Sequence, residues 1–154
     1  MESATASDRR TGQLDEVAEA LPQRVATLSR LFLRRTSLDI SRTEASVMSA
    51  VSAGPRRITE LACATGVTQP AITLLVNRMQ ERGWATREPD PDDGRAVRVA
   101  LTPAGAETFA QLQAEYRALM HEEMTSLSDD EIETLAGATQ VIDHLITRLE
   151  DREV

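Results

Sequence analysis

The sequence predicts a mainly α-helical protein with one small β-hairpin. Three observations lead there. Apolar residues recur every three or four positions through most of the chain. Serine–glutamate and threonine–proline pairs mark helix starts. A single stretch, Trp84 to Leu101, changes to a period of two around a turn-rich tip. The chain has 154 residues, 41% of them hydrophobic and 27% charged, which suits one folded domain rather than a disordered chain. Aromatic residues are only 3%, so the core must be aliphatic.

The elements follow in order. The first ten residues, MESATASDRR, are polar and expected to be disordered. A first helix carries Leu14, Val17, Leu21, Val25, Leu28 and Phe32 on one side and ends near Asp39. Pro22 interrupts it: either the helix kinks, or a fresh helix starts with Pro22 in its first turn. Ser41-Arg42-Thr43-Glu44 is a capping box that opens a second helix, with Val47, Met48 and Val51 as its buried stripe. Gly54-Pro55 ends it. A short third helix runs from about Thr59 to Ala64. Gly66-Val67 turns the chain. Thr68 caps a fourth helix reaching Arg82, whose core face is Ile72, Leu75, Val76 and Met79. Gly83 closes that helix.

Two short strands come next, Trp84 to Arg87 and Ala96 to Leu101, around the tip Pro89-Asp90-Pro91-Asp92-Asp93-Gly94. Thr102-Pro103 opens a fifth helix with Phe109, Leu112, Tyr116, Leu119 and Met120 on one face. Ser128-Asp129-Asp130-Glu131 is a second capping box. It opens a last helix with Ile132, Leu135, Ile142, Leu145 and Leu149 in line.

The net charge of −8 conceals a gradient. Residues 1–53 are neutral, residues 54–101 carry +1 and residues 102–154 carry −9. The acid lies at the C-terminal end, which leaves the middle free to meet phosphates. The chain has no lysine, so all 17 basic residues are arginine, whose planar fork suits phosphate and guanine. Genome composition is the simpler explanation of that usage. Cys63 is the single cysteine, which excludes an internal disulfide framework. No stretch approaches the roughly 20 apolar residues of a membrane span, and the N-terminus has no apolar signal core. A cytoplasmic location is the expectation.

A short helix, a glycine turn and a second helix, followed directly by a hairpin, make a winged helix-turn-helix. Ala62, Gly66, Ile72 and Leu75 stand at the spacing that such units use. The run from Gly83 to Gly105, with Asp93, Arg95, Leu101, Thr102 and Gly105 as its signature positions, resembles the wing of the MarR family of transcription regulators. The similarity extends from about Leu14 to Leu149. It implies an obligate homodimer. The helical dimerisation region would comprise residues 13–40 and 102–150, the DNA-binding lobe residues 41–101, and residues 1–12 the disordered N-terminus. Such regulators are commonly switched by small aromatic or phenolic anions, by metals or by cysteine oxidation.

Placing the apolar stripe of the fourth helix inward turns Pro70, Thr73, Leu74 and Asn77 outward, with Thr68 and Gln69 at the exposed N-terminus. A recognition helix reads the major groove through this half. Gln69 suits adenine, and Thr73 suits a base or a phosphate. Thr73, Leu74 and Arg78 match base and phosphate contacts of the family. Leu74 departs from its usual polar residue; it either meets a thymine methyl or packs on the wing. Arg95 is the expected minor-groove contact, with Asp93 holding its guanidinium; the alternative is that Asp93 and Arg95 only brace the turn. Arg56, Arg57 and Arg87 are open between phosphate contact and solvated charge. Cys63 reads as a partly buried small residue, and His121 and His144 as surface residues rather than metal ligands. No phosphate loop, nucleophile elbow or zinc motif is present, so no enzyme, metal or cofactor is expected. The reading is a sequence-specific regulator, more a repressor than an activator, binding double-stranded DNA at a pseudo-palindrome. The alternative is a small-molecule-binding dimer without DNA binding.

Overall fold

The computed structural model describes residues 2–152. Its elements are α1 (Glu2–Arg35), α2 (Arg42–Ser52), β1 (Arg56–Arg57), α3 (Ile58–Thr65), α4 (Gln69–Glu81), β2 (Ala85–Pro89), β3 (Val97–Leu101), α5 (Pro103–Met124) and α6 (Asp129–Glu150). The chain divides into two compact units, residues up to Glu115 and residues from Tyr116 onward, with the division inside α5.

Local chemistry accounts for most helix ends in the first unit. Ser41 Oγ accepts from Glu44 N at 3.2 Å while Glu44 Oε2 accepts from Ser41 N at 2.8 Å, so the box that opens α2 closes reciprocally. At the end of α3, Gly66 adopts φ +65°, and the amides of Gly66 and Val67 return to the carbonyls of Cys63 and Ala62. That left-handed turn favours glycine, and it lets the chain reverse into α4. Thr102 Oγ1 donates to the Gly83 carbonyl and accepts from Gly105 N at 3.0 Å. A Cβ on Gly105 would lie 1.9 Å from the Trp84 carbonyl oxygen. The glycine therefore permits the first turn of α5 to lie against the backbone that enters the sheet.

The core of this unit is aliphatic. Val47, Met48 and Val51 from α2, Leu61 from α3, and Ile72, Leu75, Val76 and Met79 from α4 are buried with Val99 of β3 and Leu112 of α5. The second unit, the remainder of α5 and all of α6, has its own capped start at Ser128, whose hydroxyl and Glu131 form the expected reciprocal pair. Its apolar residues are largely exposed: Ile132, Leu135, Val141, Leu145, Ile146 and Leu149 all lie on the surface of the chain.

Three expectations change. The hairpin is part of a three-stranded antiparallel sheet in the order β1-β3-β2, because Arg56 and Arg57 pair with Val99 and Arg98. Two consecutive arginines carry no alternating pattern, so only the neighbouring strand reveals β1 as one. α1 begins at Glu2 and includes most of the segment expected to be disordered; Glu and Ala in that segment favour a helix once one is propagating. Pro22 lies within this single helix, so no fresh helix starts there.

Candidate nucleic-acid interface

Helix α4 separates its faces sharply. Ile72, Val76 and Met79 are fully buried, while Thr68, Gln69, Pro70, Thr73 and Leu74 are exposed along its first two turns, followed by half-buried Asn77 and exposed Arg78. The i, i+4 geometry of a helix stacks Gln69, Thr73 and Asn77 in one row and Pro70, Leu74 and Arg78 in the next. A helix start also leaves amide N–H groups without internal partners, which favours an anion.

The structure adds detail at three of these positions. Thr68 stands at the N-cap, but its side chain makes no capping hydrogen bond. Pro70 at the second helical position removes one amide that a capping hydroxyl serves, so the Thr68 hydroxyl stays available. The Thr73 hydroxyl donates to the Gln69 carbonyl at 2.9 Å and retains its lone pairs as acceptors. Leu74 is 65% exposed, so it does not pack on the wing.

The wing tip is built by hydrogen bonds within the β2–β3 loop. Asp90 N donates to the Ala96 carbonyl at 3.0 Å, and Ala96 N to the Asp93 carbonyl at 2.8 Å. Asp93 and Arg95 are both exposed there. The expected grip of Asp93 on the Arg95 guanidinium is corrected. Asp93 Oδ1 instead accepts from Arg95 N at 3.0 Å, because a short side chain two residues back reaches the backbone amide first. Asp93 thus shapes the loop, and the guanidinium of Arg95 has no ion-pair partner among the described residues.

The other arginines sort by partner. Arg57 Nε donates to Asp90 Oδ2 at 2.6 Å, so Arg57 is not a free phosphate contact. Asp90 is nearly buried, and the hydrogen bond from Arg57, followed by that from Asp92 N, holds its carboxyl far below the usual carboxylate range. Arg87 donates to Gln80 Oε1, tying β2 to α4. Arg82 lies over the Trp84 ring, 4.4 Å from its centroid, and donates to Asp39 Oδ2 and to the Asp39 carbonyl. Trp84 and Asp39 thus anchor the end of α4. Arg56, Arg78 and Arg95 are exposed and pair with no carboxylate among the described residues. Sequence spacing pointed to none of the Arg57, Arg82 or Arg87 pairings, since each joins residues distant along the chain or on different elements.

Cys63, read as partly buried, is exposed, because α3 turns Leu61 and Ala62 inward instead. Among the described residues, no group of three or more His, Cys, Asp or Glu side chains is placed to hold a metal ion. No helix among them is long and apolar enough to cross a membrane.

Comparison with known proteins identifies the family and the fold. Residues 38–96 match the model of the MarR family. Over 100 residues the chain is 36% identical to the multiple antibiotic resistance protein MarR of Salmonella typhimurium, covering 64% of this chain and 69% of that protein. The crystal structure of wild-type MarR from E. coli in its apo form superposes with a TM-score of 0.68 and 27% identity over 84% of this chain and 96% of that one. The fold is also that of the transcriptional repressor CouR bound to a 23-mer DNA duplex, with a TM-score of 0.64, 24% identity, and 86% and 96% coverage.

Proposed function

Because this chain belongs to the MarR family of transcription regulators, we propose that it is a sequence-specific repressor that binds a pseudo-palindromic operator as a cytoplasmic homodimer. In this reading α4 enters the major groove. Gln69 and Thr73 meet base edges, Leu74 meets a thymine methyl, and Thr68 and Arg78 meet phosphates. Pro70 and Asn77 line the same face, and Asp93 holds the loop from which Arg95 enters the minor groove. The single observation that carries the reading is the pairing state of the arginines. Arg57, Arg82 and Arg87 are engaged within the fold, whereas Arg78 on the recognition helix and Arg95 on the wing are exposed and pair with no carboxylate among the described residues.

The dimer is supported by the exposed apolar stripes of α1 and α6, which a second copy would cover. Two half-sites about one helical turn apart then follow from two-fold symmetry.

Response to a small ligand is part of the same proposal. An open groove of about 490 Å³ lies between the end of α2, β3 and α5, lined by Val51, Pro55, Leu101, Phe109, Ala110 and Gln113 among others, all uncharged. That lining favours a neutral aromatic or phenolic compound over an anion.

Selection of duplexes from a random library by the purified protein tests the function. The expected result is a two-fold symmetric site with half-site centres about 10 base pairs apart. Recovery of no sequence preference would overturn the repressor reading and leave the small-molecule-binding dimer in its place.

A further inference from the structure

Resting on the regulator reading, we propose that Arg57 and Asp90 are positioning residues for DNA recognition: their ion pair fixes the offset between the wing tip that carries Arg95 and the start of the helix-turn-helix. Asp90 is the hub of the wing tip. Its Oδ1 accepts from Asp92 N at 2.9 Å and from Asp93 N at 3.2 Å, while its Oδ2 accepts from Arg57 Nε at 2.6 Å. All three donors converge on one side chain that is 2% exposed. The loop that presents Arg95 is therefore wrapped around a carboxylate that a single cation holds.

Arg57 is equally central on the other side. It lies in β1, opposite Arg98 of β3, and its backbone N donates to Glu60 Oε2 at 3.0 Å in the first turn of α3. The next residue, Ile58, begins α3. A short path thus runs from α3 through Arg57 and Asp90 to the amides of Asp92 and Asp93, and on to Arg95. The hairpin's own ladder fixes β2 against β3. Beyond the ladder, the tip is tied to the helical body through this pair. A buried carboxylate that loses its cation is costly, so the loop must rearrange to hydrate it.

A pair that merely stabilised the fold would weaken every DNA contact alike. A positioning pair acts through Arg95, and that difference is measurable. The full-length protein and its Arg57→Met, Arg57→Lys, Arg95→Ala and Arg57→Met/Arg95→Ala variants are titrated with the best duplex selected by the wild type. Arg57→Met is expected to raise Kd about tenfold, equivalent to about 1.4 kcal/mol. The double variant is expected to bind no more weakly than Arg95→Ala alone, since the pair's effect passes through that side chain. In repeated selections Arg57→Met should lose base preference at the flanks of the site and keep it at the positions read by α4. Arg57→Lys keeps the charge without the Nε geometry and should fall with Arg57→Met. Multiplying losses in the double variant, equal loss at flank and centre, or wild-type affinity of Arg57→Met would each overturn the proposal.

Amide exchange of the free protein separates this from failure of the regulator reading. The amides of Asp92 and Asp93 should exchange at least tenfold faster in Asp90→Ala than in the wild type, and in the same direction in Arg57→Met. If the wild type selects no DNA, the regulator reading fails while this exchange result still judges the brace. Unchanged exchange in both variants overturns the brace itself.

Discussion

The helix-turn-helix lobe and the two terminal helices carry the same sequence signal and meet opposite fates. In α2 and α4, apolar residues at helical spacing are buried within the chain: Val47, Met48, Ile72 and Met79 are each 0% exposed. In α1 and α6, residues with the same spacing stay on the surface, with Leu14 at 59% and Leu149 at 62%. Periodicity announces that a face needs a partner; it does not say whether that partner lies in the same chain. The charge contrast runs in parallel. The lobe is slightly basic and the C-terminal third strongly acidic, which suits a division between a part that meets phosphates and a part that meets protein.

The largest test of this contrast is on the terminal helices. Leu28→Glu combined with Leu145→Glu should yield a monomer by light scattering, and operator affinity should fall by about two orders of magnitude or more as the linkage between half-sites is lost. A variant that remained dimeric would assign the exposed stripes another role. Next come substitutions inside the lobe. Gly105→Ala forces a Cβ against the Trp84 carbonyl, and Ile72→Ala opens a cavity at a fully buried site. Each should cost about 2–5 kcal/mol in denaturant unfolding, whereas exposed Leu74→Ala should change stability by under ~0.5 kcal/mol.

Third, Arg95→Ala should leave stability unchanged and flatten the slope of log affinity against log salt by about one. A titration series across salt concentrations checks this, and an unaltered slope would remove Arg95 from the interface. The smallest effect concerns the link from α1 to α5. Glu115 accepts from Ser37 Oγ, Thr36 Oγ1 and Ser37 N, and these bonds lower its carboxyl from an ordinary 4.5 to about 2. A carboxyl depressed in the folded state contributes stability above its unfolded value and loses it as pH falls. Wild-type thermal stability should therefore drop between about pH 4.5 and 2 more than that of Glu115→Gln, with the difference fully developed at neutral pH.

Much of the candidate site was legible in the sequence because its signals are local. The exposed row Gln69–Thr73–Asn77 follows from the buried row Ile72–Val76–Met79 by helix geometry alone. Gly66 and Thr102 announce a turn and a cap that the structure realises. The proximity of Asp93 to Arg95 is visible in sequence, but the choice between gripping the guanidinium and bracing the turn through the backbone amide depends on loop geometry. Spacing alone does not decide between the two roles of Leu74, because exposure is a property of the assembled surface.

Local sequence specifies most of the helices, the capping boxes at Ser41 and Ser128, the hairpin and the face that α4 turns outward, since hydrogen bonds and periodicity within a few residues set each of them. Tertiary structure alone decided that Arg56 and Arg57 form a third strand. It also decided that Arg57 meets Asp90, that Arg82 meets Asp39 and that Glu115 meets Ser37. Those pairs lie 33, 43 and 78 residues apart. In a chain with 17 basic and 25 acidic side chains, charge alone permits many pairings. Only packing of the apolar core, which brings particular backbones alongside one another, selects among them.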